Sequence, residues 1–432
     1  VRRNARRSRS RCGPIRSGSS TGRWKSMSAD PFVIVGAGHA ARRTAEALRE
    51  RDAAARIVMI GAEREMPYDR PALSKDALLT DGGEQRAFVR DAAWYDAQGI
   101  ELRLGTRVDA IERDAQRVRL DDGATLPYAR LVLATGSRVR TFGGAIDEGV
   151  TPHYVRTVDD ARALRAQLVP GRRVAVLGGG FIGLEVAAAA RQLGCDVTVI
   201  DPAPRLLQRA LPEVVGAYAH RLHDARGVVF QMATLPRAIR RAPGGGAIVE
   251  TDHGDVPADL VVVGIGVVPN VELAQAAGLD VDNGIRVDAG CRTVDPAIFA
   301  AGEVTMHFNP LLGRHVRIES WQVAENQPAI AAANLLGADE AYAELPWLWS
   351  DQYDCNLQML GLFGGERTIV VRGDPTNGPF TVFGLGDDGR IVAVAAANLG
   401  RDIGASRRLM AAGAVPDPVK LADPAVNLKT FM

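Results

Sequence analysis

The sequence contains no apolar run long enough to span a membrane and too few cysteines for a disulfide framework. Its longest candidate, LVVVGIGVV at Leu260–Val268, has the length of a strand, whereas a membrane helix needs about 20 residues. The four cysteines, Cys12, Cys195, Cys291 and Cys355, lie too far apart for a CxxC redox pair or a zinc site. These absences exclude a membrane-spanning protein and a small secreted scaffold, and they predict a reducing, cytoplasmic location.

The chain also lacks a large net charge, although its charge is unevenly distributed. The formal net charge is +1, but residues 1–26 carry nine of the 52 basic residues and no acidic one, so 43 basic residues face 51 acidic ones in the rest. A basic, Ser-rich and Gly-rich stretch cannot build a core. It is compatible with a nucleic-acid-binding arm, a targeting peptide or a translated upstream extension. We predict a disordered extension, with Met27 near the natural start.

Two segments share the order strand, glycine turn, helix and strand. The first is PFVIVGAGHAARRTAEALRERDAAARIVMIGAE from Pro31, and the second is RRVAVLGGGFIGLEVAAAARQLGCDVTVID from Arg172. This order predicts two βαβ units with parallel strands. The chain of 432 residues is long enough for two or three domains. We therefore predict an α/β protein with two Rossmann-like dinucleotide-binding domains and, from about Pro346 onward, a small α+β domain.

The first glycine turn has the residues that a dinucleotide site requires. Gly36 permits a tight turn, Gly38 lets the backbone approach a pyrophosphate, and Ala41 takes the place of the third glycine, where helix and strand pack. The N-terminus of the following helix then faces the phosphates. Glu63 ends the second strand, where a carboxylate can accept hydrogen bonds from both ribose hydroxyls.

The second glycine turn repeats this pattern with Gly178, Gly180 and Gly183, and Asp201 ends its second strand. A carboxylate at this position repels a 2′-phosphate, so NADH is the predicted cofactor. The nearby Arg205 and Arg209 keep NADPH open as an alternative. Two dinucleotide sites in one chain predict one tightly held carrier, FAD, and one that exchanges, NADH, because hydride transfer needs a donor against an acceptor.

Seven motifs carry a resemblance to a known family. They are VGAGHAA, PYDRPALSK at Pro67–Lys75, LVLATGS at Leu131–Ser137, GGGFIGLE ending at Glu185, VVVGIGVVPN at Val261–Asn270, IESWQVAENQ at Ile318–Gln327 and LPWLWSDQ at Leu345–Gln352. With these motifs the chain resembles the FAD-dependent NADH:ferredoxin reductases of ring-hydroxylating dioxygenase and bacterial cytochrome P450 systems, within the glutathione-reductase-like flavoproteins. The resemblance runs from about Asp30 to the C-terminus.

This resemblance implies a domain organisation. An FAD-binding domain is built from residues 27–140 and 265–340, an NAD-binding domain is inserted at residues 141–264, and a C-terminal reductase domain follows at residues 341–432. The C-terminal domain helps to form the face on which the partner docks.

The resemblance also implies roles for single residues. Arg70 contacts an FAD phosphate or the adenine, where a guanidinium suits oxygen recognition. Lys75 approaches the isoalloxazine and stabilises the negative charge of the reduced flavin, and Glu185 pairs with Lys75. An ordinary ion pair between domains is the alternative interpretation of Lys75 and Glu185. Thr135 and Gly136 lie against FAD.

Further roles follow for the later motifs. Gly264 and Gly266 let the backbone approach the nicotinamide or pyrophosphate of NADH. Trp321 corresponds to a tryptophan near the flavin and the docked ferredoxin, although an aromatic residue at a helix start also packs in cores. Gly302 and Glu303 stand where the family has Gly-Asp, and the acid binds a ribityl hydroxyl of FAD. Glutamate keeps the acceptor but adds a methylene, so the hydrogen bond is expected to shift.

Three histidines invite a functional interpretation that the sequence does not support. His39 stands in the glycine loop where a small or apolar residue is commoner, and we expect a partly exposed side chain without a special role. His220 and His223 have the i, i+3 spacing of a helix but no nearby acids or cysteines, so no metal site is predicted.

The predicted function is the transfer of hydride from NADH to FAD and of single electrons from FAD to a [2Fe-2S] ferredoxin that feeds an oxygenase. No cysteine pair is spaced for a dithiol relay, so the electrons must leave to an external acceptor. An NADH oxidase or a rubredoxin reductase of the same fold, and a flavin-containing binding protein like apoptosis-inducing factor, are the alternatives. We expect a monomer or homodimer and neither a membrane nor a nucleic acid as partner.

Overall fold

The structure is a computed structural model that describes residues 30–432. The predicted extension at residues 1–26, with Cys12, lies outside the described residues. The helices of the described residues are His39–Arg51, Asp76–Leu79, Ala92–Ala97, Val158–Arg165, Phe181–Gln192, Glu213–Asp224, Glu272–Ala276, Trp321–Leu335, Gly400–Ala411 and Pro418–Ala422. Short 3₁₀ turns lie at Arg70–Ala72, Gly83–Ala87 and Leu428–Phe431. Within residues 30–432, no helix combines the length and apolarity needed to cross a bilayer.

The first parallel sheet contains the first predicted βαβ unit. Its strands, in spatial order, are Ile298–Ala300, Arg130–Leu133, Phe32–Val35, Ile57–Gly61 and Ile100–Leu104. Alternate residues of its central strand pack on opposite sides: Phe32 and Ile34 face the helices His39–Arg51 and Trp321–Leu335, and Val33 and Val35 face the strands around Val118. Both faces are covered, as expected for a parallel sheet.

The second parallel sheet contains the second βαβ unit. Its strands, in spatial order, are Val229–Met232, Asp196–Asp201, Arg173–Leu177 and Leu260–Val263. The Ala-rich helix Phe181–Gln192 packs on this sheet and is buried from Gly183 to Ala190. The predicted pair of Rossmann-like units is thus confirmed, whereas the exact domain boundaries stay predictions.

The C-terminal sheet is antiparallel and has five strands. In spatial order they are Trp347–Gln352, Cys355–Gly361, Ile391–Ala397, Phe380–Leu385 and Thr368–Gly373. The helix Gly400–Ala411 covers one face through Ile403 and Leu409. The predicted α+β character of this last part is confirmed.

Four smaller sheets complete the fold. Their strands are Val108–Glu112, Arg117–Leu120 and Thr125–Pro127; Gly254–Ala258, Ala247–Thr251, Pro236–Arg241 and Ala145–Ile146; Val267–Pro269 and Ser137–Val139; and Val281–Asp282, Gly284–Val287, Thr305–Asn309 and Arg314–Val316. The run at Leu260–Val268 is therefore two strands, not one. Gly266, at φ +103°, turns the chain between them, and Val267–Pro269 pairs with Ser137–Val139.

Two hydrophobic contacts bring distant segments to the second parallel sheet. Leu73 and Leu78, which flank Lys75, share a core with Val174 and Val186 of the second βαβ unit. Leu184, on the same helix as Val186, shares another core with the C-terminal sheet. The helix Phe181–Gln192 therefore lies where three parts of the chain meet.

Candidate active site

The two glycines of the first turn differ in the space around them. A Cβ at Gly36 would lie 2.2 Å from the Ala134 carbonyl oxygen, and its φ is +122°, so only glycine fits. A Cβ at Gly38 would meet no atom within 4 Å. Gly38 is the N-cap of the helix His39–Arg51, and Ala41 is fully buried where that helix packs. The open space beside free helix amides suits a pyrophosphate.

The second turn repeats this arrangement. A Cβ at Gly178 would lie 2.4 Å from the Gly264 carbonyl oxygen, and one at Gly183 would lie 2.0 Å from the Gly178 carbonyl oxygen. A Cβ at Gly180, the N-cap of the helix Phe181–Gln192, would meet nothing within 4 Å. Both turns therefore leave space at the helix N-terminus, where FAD and NADH phosphates would fit.

Asp201 closes the second site at the end of its strand. Its Oδ2 accepts a hydrogen bond from the Gly179 amide at 2.6 Å, and its Oδ1 accepts one from the Ala203 amide at 2.7 Å. Arg205, a candidate ligand for a 2′-phosphate, donates instead to the carbonyl oxygen of Leu211 at 2.8 Å. The carboxylate is thus fixed at the predicted ribose position, and one of the two nearby guanidinium groups is already engaged.

Three of the residues predicted to hold FAD, Glu63, Arg70 and Glu303, form one charged cluster. The Arg70 guanidinium lies 2.7 Å from a carboxylate oxygen of Glu63. Burial raises the pKa of Glu63, but the charge of Arg70 and the hydrogen bonds from Tyr68 and Arg70 together outweigh burial and lower the pKa. A Cβ at Gly136 would lie 3.4 Å from Oε1 of Glu303. The motifs did not indicate Arg156. Its guanidinium forms an ion pair with Glu303 and donates a hydrogen bond to Oε1 of that residue.

The ion pair of Glu303 bears on the predicted ribityl contact. Burial raises the pKa of Glu303, but Arg156, Arg70 and Arg317 together outweigh burial and lower the pKa, so the group is an anion. Gly302, at φ +87°, lies against Ala40 of the first βαβ unit, since a Cβ there would be 2.7 Å from the Ala40 Cβ. The Glu303 carboxylate, which is the predicted acceptor for the ribityl hydroxyl, therefore faces the Arg156 guanidinium beside the first glycine turn.

The motifs LVLATGS and VVVGIGVVPN meet through Thr135 and Asn270. The Thr135 hydroxyl donates to the Asn270 carbonyl oxygen at 2.7 Å, and the Asn270 side-chain amide donates to the Thr135 carbonyl oxygen at 2.8 Å. A Cβ at Gly264 would lie 3.2 Å from the Gly183 amide nitrogen. This reciprocal pair joins the end of the strand Arg130–Leu133 in the first parallel sheet to the segment that follows Val267–Pro269.

Lys75 and Glu185 connect the two βαβ units. The Lys75 ammonium lies 2.9 Å from Glu185 Oε2, and the two side chains are 19% and 3% exposed. Ser74 also donates to Glu185 Oε2, at 2.5 Å. Lys75 belongs to the segment that follows the first unit, and Glu185 lies on the helix of the second. The predicted pair is thus present, with Lys75 retaining an exposed portion.

Two family models cover most of the chain. The model for pyridine nucleotide-disulphide oxidoreductases matches residues 30–328, and a model for the C-terminal part of reductases matches residues 347–432. The chain belongs to the pyridine nucleotide-disulphide oxidoreductase family. The second match makes it similar to the reductases that carry an additional C-terminal domain.

Individual relatives of this oxidoreductase are similar over nearly their full lengths. The anthranilate 1,2-dioxygenase system ferredoxin–NAD(+) reductase component of Burkholderia cepacia is 88% identical over 406 residues, which cover 94% of this chain and 100% of that protein. Rhodocoxin reductase of Rhodococcus erythropolis is 42% identical over 402 residues, with 92% and 93% covered. The reductase fold in a covalent putidaredoxin reductase–putidaredoxin complex matches with a TM-score of 0.89 and 39% identity over 94% of this chain and 98% of that one.

Trp321 of the oxidoreductase begins the helix Trp321–Leu335 beside the first glycine turn. Its ring centroid lies 5.3 Å from that of His39 and 6.0 Å from that of Trp349. Trp349 stacks on Trp347 at 5.1 Å. A row of three half-buried tryptophans therefore extends from the glycine turn to the edge of the C-terminal sheet.

The expectation for His39 is wrong, because its side chain is only 9% exposed and is engaged on both sides. Its Nδ1 faces Asp69 and its Nε2 lies 2.6 Å from Glu325. A neutral imidazole donates from one nitrogen only, so two carboxylates favour the imidazolium. Burial lowers the pKa of His39, but these two hydrogen bonds and the charge of Asp69 together outweigh burial and raise the pKa.

The charge of His39 completes a balanced network. Its cations are His39, Arg42, Arg43 and Arg90, and its anions are Glu46, Glu50, Asp69 and Glu325. The network joins the helix after the first glycine turn to the helix that begins at Trp321. A single sequence could not reveal it, because Glu325 follows His39 by 286 residues.

Raising the pH above neutrality is expected to weaken this network. The pKa of His39 is raised in the folded protein. The stability that the protonated imidazole adds to the fold is therefore complete below about pH 6.5 and is lost as the pH rises through the raised pKa. The free energy of unfolding should fall by up to about 1.4 kcal/mol per pH unit there. Urea unfolding between about pH 6 and pH 9 measures this.

The matched variants are His39→Gln and His253→Gln, the latter at a histidine whose side chain is 63% exposed. The first variant should lose the extra pH dependence, and the second should keep the wild-type profile. Equal pH profiles for His39→Gln and the wild type would contradict the assignment.

Proposed function

We infer that this oxidoreductase is the ferredoxin–NAD(+) reductase component of an oxygenase system. It takes hydride from NADH and passes electrons singly to a [2Fe-2S] ferredoxin. The observation that carries the proposal is the Lys75–Glu185 pair, which joins the two βαβ units, together with the space for a pyrophosphate at both glycine turns. The 88% identical relative, a ferredoxin–NAD(+) reductase component, supports the same activity.

The residues divide the work between the two cofactors. Gly36, Gly38, Ala41 and the cluster around Arg70 and Glu303 would hold FAD, which accepts two electrons at once and releases them one at a time when bound. The corresponding turn at Gly178, Gly180 and Gly183, with Asp201 and the approach offered by Gly264 and Gly266, would hold NADH. Lys75, held by Glu185, would supply positive charge where negative charge develops on reduction of the flavin.

The cysteines support transfer to an external acceptor. Cys195, Cys291 and Cys355 are all buried, and burial raises the pKa of each thiol. They lie on separate parts of the sequence without a partner at dithiol spacing. Electrons that reach the flavin would therefore leave to a partner protein, for which the row Trp321, Trp349 and Trp347 would form part of the docking face. A cytoplasmic, monomeric or homodimeric enzyme is the form we propose.

An anaerobic NADH titration of the purified protein tests this function. The yellow protein should bleach with about one NADH per flavin and recover its colour when a [2Fe-2S] ferredoxin is added. The kcat/KM for NADH should exceed that for NADPH at least tenfold, because Asp201 repels the 2′-phosphate. A protein without flavin, or one not bleached by NADH, would contradict the proposal.

The same preparation separates the related activities. Ferredoxin-dependent reduction of cytochrome c supports the reductase, and rapid peroxide formation without any dependence on ferredoxin would instead indicate an NADH oxidase. A rubredoxin reductase would instead reduce rubredoxin, so replacing the ferredoxin with rubredoxin tests for that activity. A preference of the enzyme for NADPH would show that Asp201 does not select the cofactor.

A further inference from the structure

A chain of buried polar side chains continues from Glu185 into the C-terminal sheet. The Ser350 hydroxyl donates to Glu185 Oε1 at 2.6 Å, and the Gln352 amide donates to the Ser350 oxygen at 3.0 Å. The other end of Gln352 lies 2.9 Å from Nε2 of His223. Ser350 and His223 are fully buried, Gln352 is 3% exposed and Glu185 is 4% exposed.

The carboxylate at one end fixes the direction of every hydrogen bond. A carboxylate only accepts, so Ser350 must give its single hydrogen to Glu185. The Ser350 oxygen then accepts from the NH₂ group of Gln352, whose carbonyl oxygen therefore faces His223. It follows that His223 carries its hydrogen on Nε2 and leaves Nδ1 as an acceptor, toward the Tyr353 hydroxyl at 3.4 Å.

The surroundings of His223 agree with this neutral form. Burial lowers its pKa to about 4, against the smaller opposite effect of the hydrogen bond with Gln352. The charged or titratable groups that face it are His220 on its own helix, Arg226 just beyond the end of that helix, and Tyr353 in the turn after the strand Trp347–Gln352. Arg226 and His220 lower the pKa further. Near neutral pH, His223 is thus a donor that does not change its charge.

The fold supplies these residues from separate elements. Glu185 and His223 lie on the helices Phe181–Gln192 and Glu213–Asp224, and Ser350 and Gln352 alternate on the edge strand Trp347–Gln352 of the C-terminal sheet. Residues two apart on a strand share a face, and here that face is toward the two helices. Buried polar groups of this kind are costly unless every member is paired. These hydrogen-bonded side chains therefore specify one position of the C-terminal sheet against the two helices.

We propose that Ser350, Gln352 and His223 are positioning residues for Glu185, so that the C-terminal sheet completes the site in which Lys75 meets the flavin. This inference rests on the proposed function. Glu185 Oε2 accepts from Lys75 and Ser74, and Oε1 is held by Ser350. With both oxygens engaged, the carboxylate cannot rotate away from Lys75, and the ammonium stays at the place where charge develops.

The variant Ser350→Ala tests the proposal in the full-length holoenzyme. The rate constant for anaerobic flavin reduction by NADH should fall about tenfold with the Kd for NADH unchanged, because the group acts on the reacting geometry and not on binding. Stopped-flow measurements over a range of NADH concentrations give both the rate constant and the Kd.

The matched control is Ser406→Ala, which also removes a fully buried hydroxyl from the C-terminal part. Ser406 donates at 2.7 Å only to the carbonyl oxygen of Asp402 in its own helix, so the rate constant and the Kd for NADH should stay at wild-type values. An equal fall of the rate constant in both variants, or a wild-type rate constant in Ser350→Ala, would overturn the proposal. A wild-type protein that NADH does not reduce would instead overturn the proposed function.

A second measurement does not depend on turnover. Nitrogen NMR of histidine-labelled protein should find His223 neutral with its hydrogen on Nε2 at pH 7, and Ser350→Ala should yield a mixture of tautomers because Gln352 can then reverse its amide. A hydrogen on Nδ1, or an imidazolium, in the wild type would overturn the proposal even if Ser350→Ala were too unstable for kinetics.

Discussion

Gly180→Val is expected to raise the KM for NADH about a hundredfold, equivalent to about 2.7 kcal/mol, while the protein folds and retains its flavin. The backbone at Gly180 is extended, with φ −87° and ψ −175°, and a Cβ there would meet no protein atom within 4 Å. Valine therefore fits the fold but fills the space that a pyrophosphate would occupy. Steady-state kinetics, flavin absorbance and the thermal unfolding midpoint measure the three quantities.

Gly178→Val provides the contrast for this prediction. Its Cβ would lie 2.4 Å from the Gly264 carbonyl oxygen, and its φ of +116° disfavours any side chain. Here we expect a lower unfolding midpoint and not merely a higher KM. If Gly180→Val kept the wild-type KM for NADH, the second glycine turn would not be the nicotinamide-nucleotide site.

Glu185→Leu is expected to lower the free energy of unfolding by about 3 kcal/mol and the rate of flavin reduction about a hundredfold. Leucine leaves the Lys75 ammonium and the hydroxyls of Ser74 and Ser350 without their common acceptor. Removing one partner of a buried ion pair is costly because the other charge stays buried. Urea unfolding and stopped-flow reduction by NADH measure the two effects.

Glu272→Ala is the control for the loss of an ion pair. Its carboxylate lies 2.7 Å from Arg138, but the two side chains are 63% and 51% exposed, so we expect a change within about 0.5 kcal/mol. Similar unfolding free energies for Glu185→Leu and Glu272→Ala would contradict the distinction between the buried and the exposed pair. Normal reduction kinetics in Glu185→Leu would exclude Lys75 and Glu185 from the reaction.

Local patterns predicted the parts of this molecule whose determinants are adjacent in the sequence. The apolar strand Phe32–Val35, its glycine turn and the following helix are encoded within about twenty residues, and the same is true of Arg173–Leu177 and its turn. Parallel strands buried on both faces read as uninterrupted apolar runs. The apolar run at Leu260–Val268 divides into two strands, because the chain turns at Gly266.

The parts that escaped prediction depend on contacts between distant segments. Arg156 meets Glu303 across 147 residues, and Ser350 meets Glu185 across 165. His39 looked like an exposed loop residue because the two carboxylates that bury it belong to other motifs. Motif resemblance identified Lys75 and Glu185 but could not indicate which groups hold them, since such partners carry no pattern of their own. The roles of the individual site residues stay predictions.

The burial of the cysteine thiols affects how the enzyme resists oxidation. Reduced flavin reacts with oxygen, and the peroxide formed attacks thiolates in preference to thiols. In Cys195, Cys291 and Cys355, burial raises the pKa and leaves little thiolate at neutral pH. Within residues 30–432 the chain thus offers peroxide few vulnerable thiols, which is a form of chemical durability.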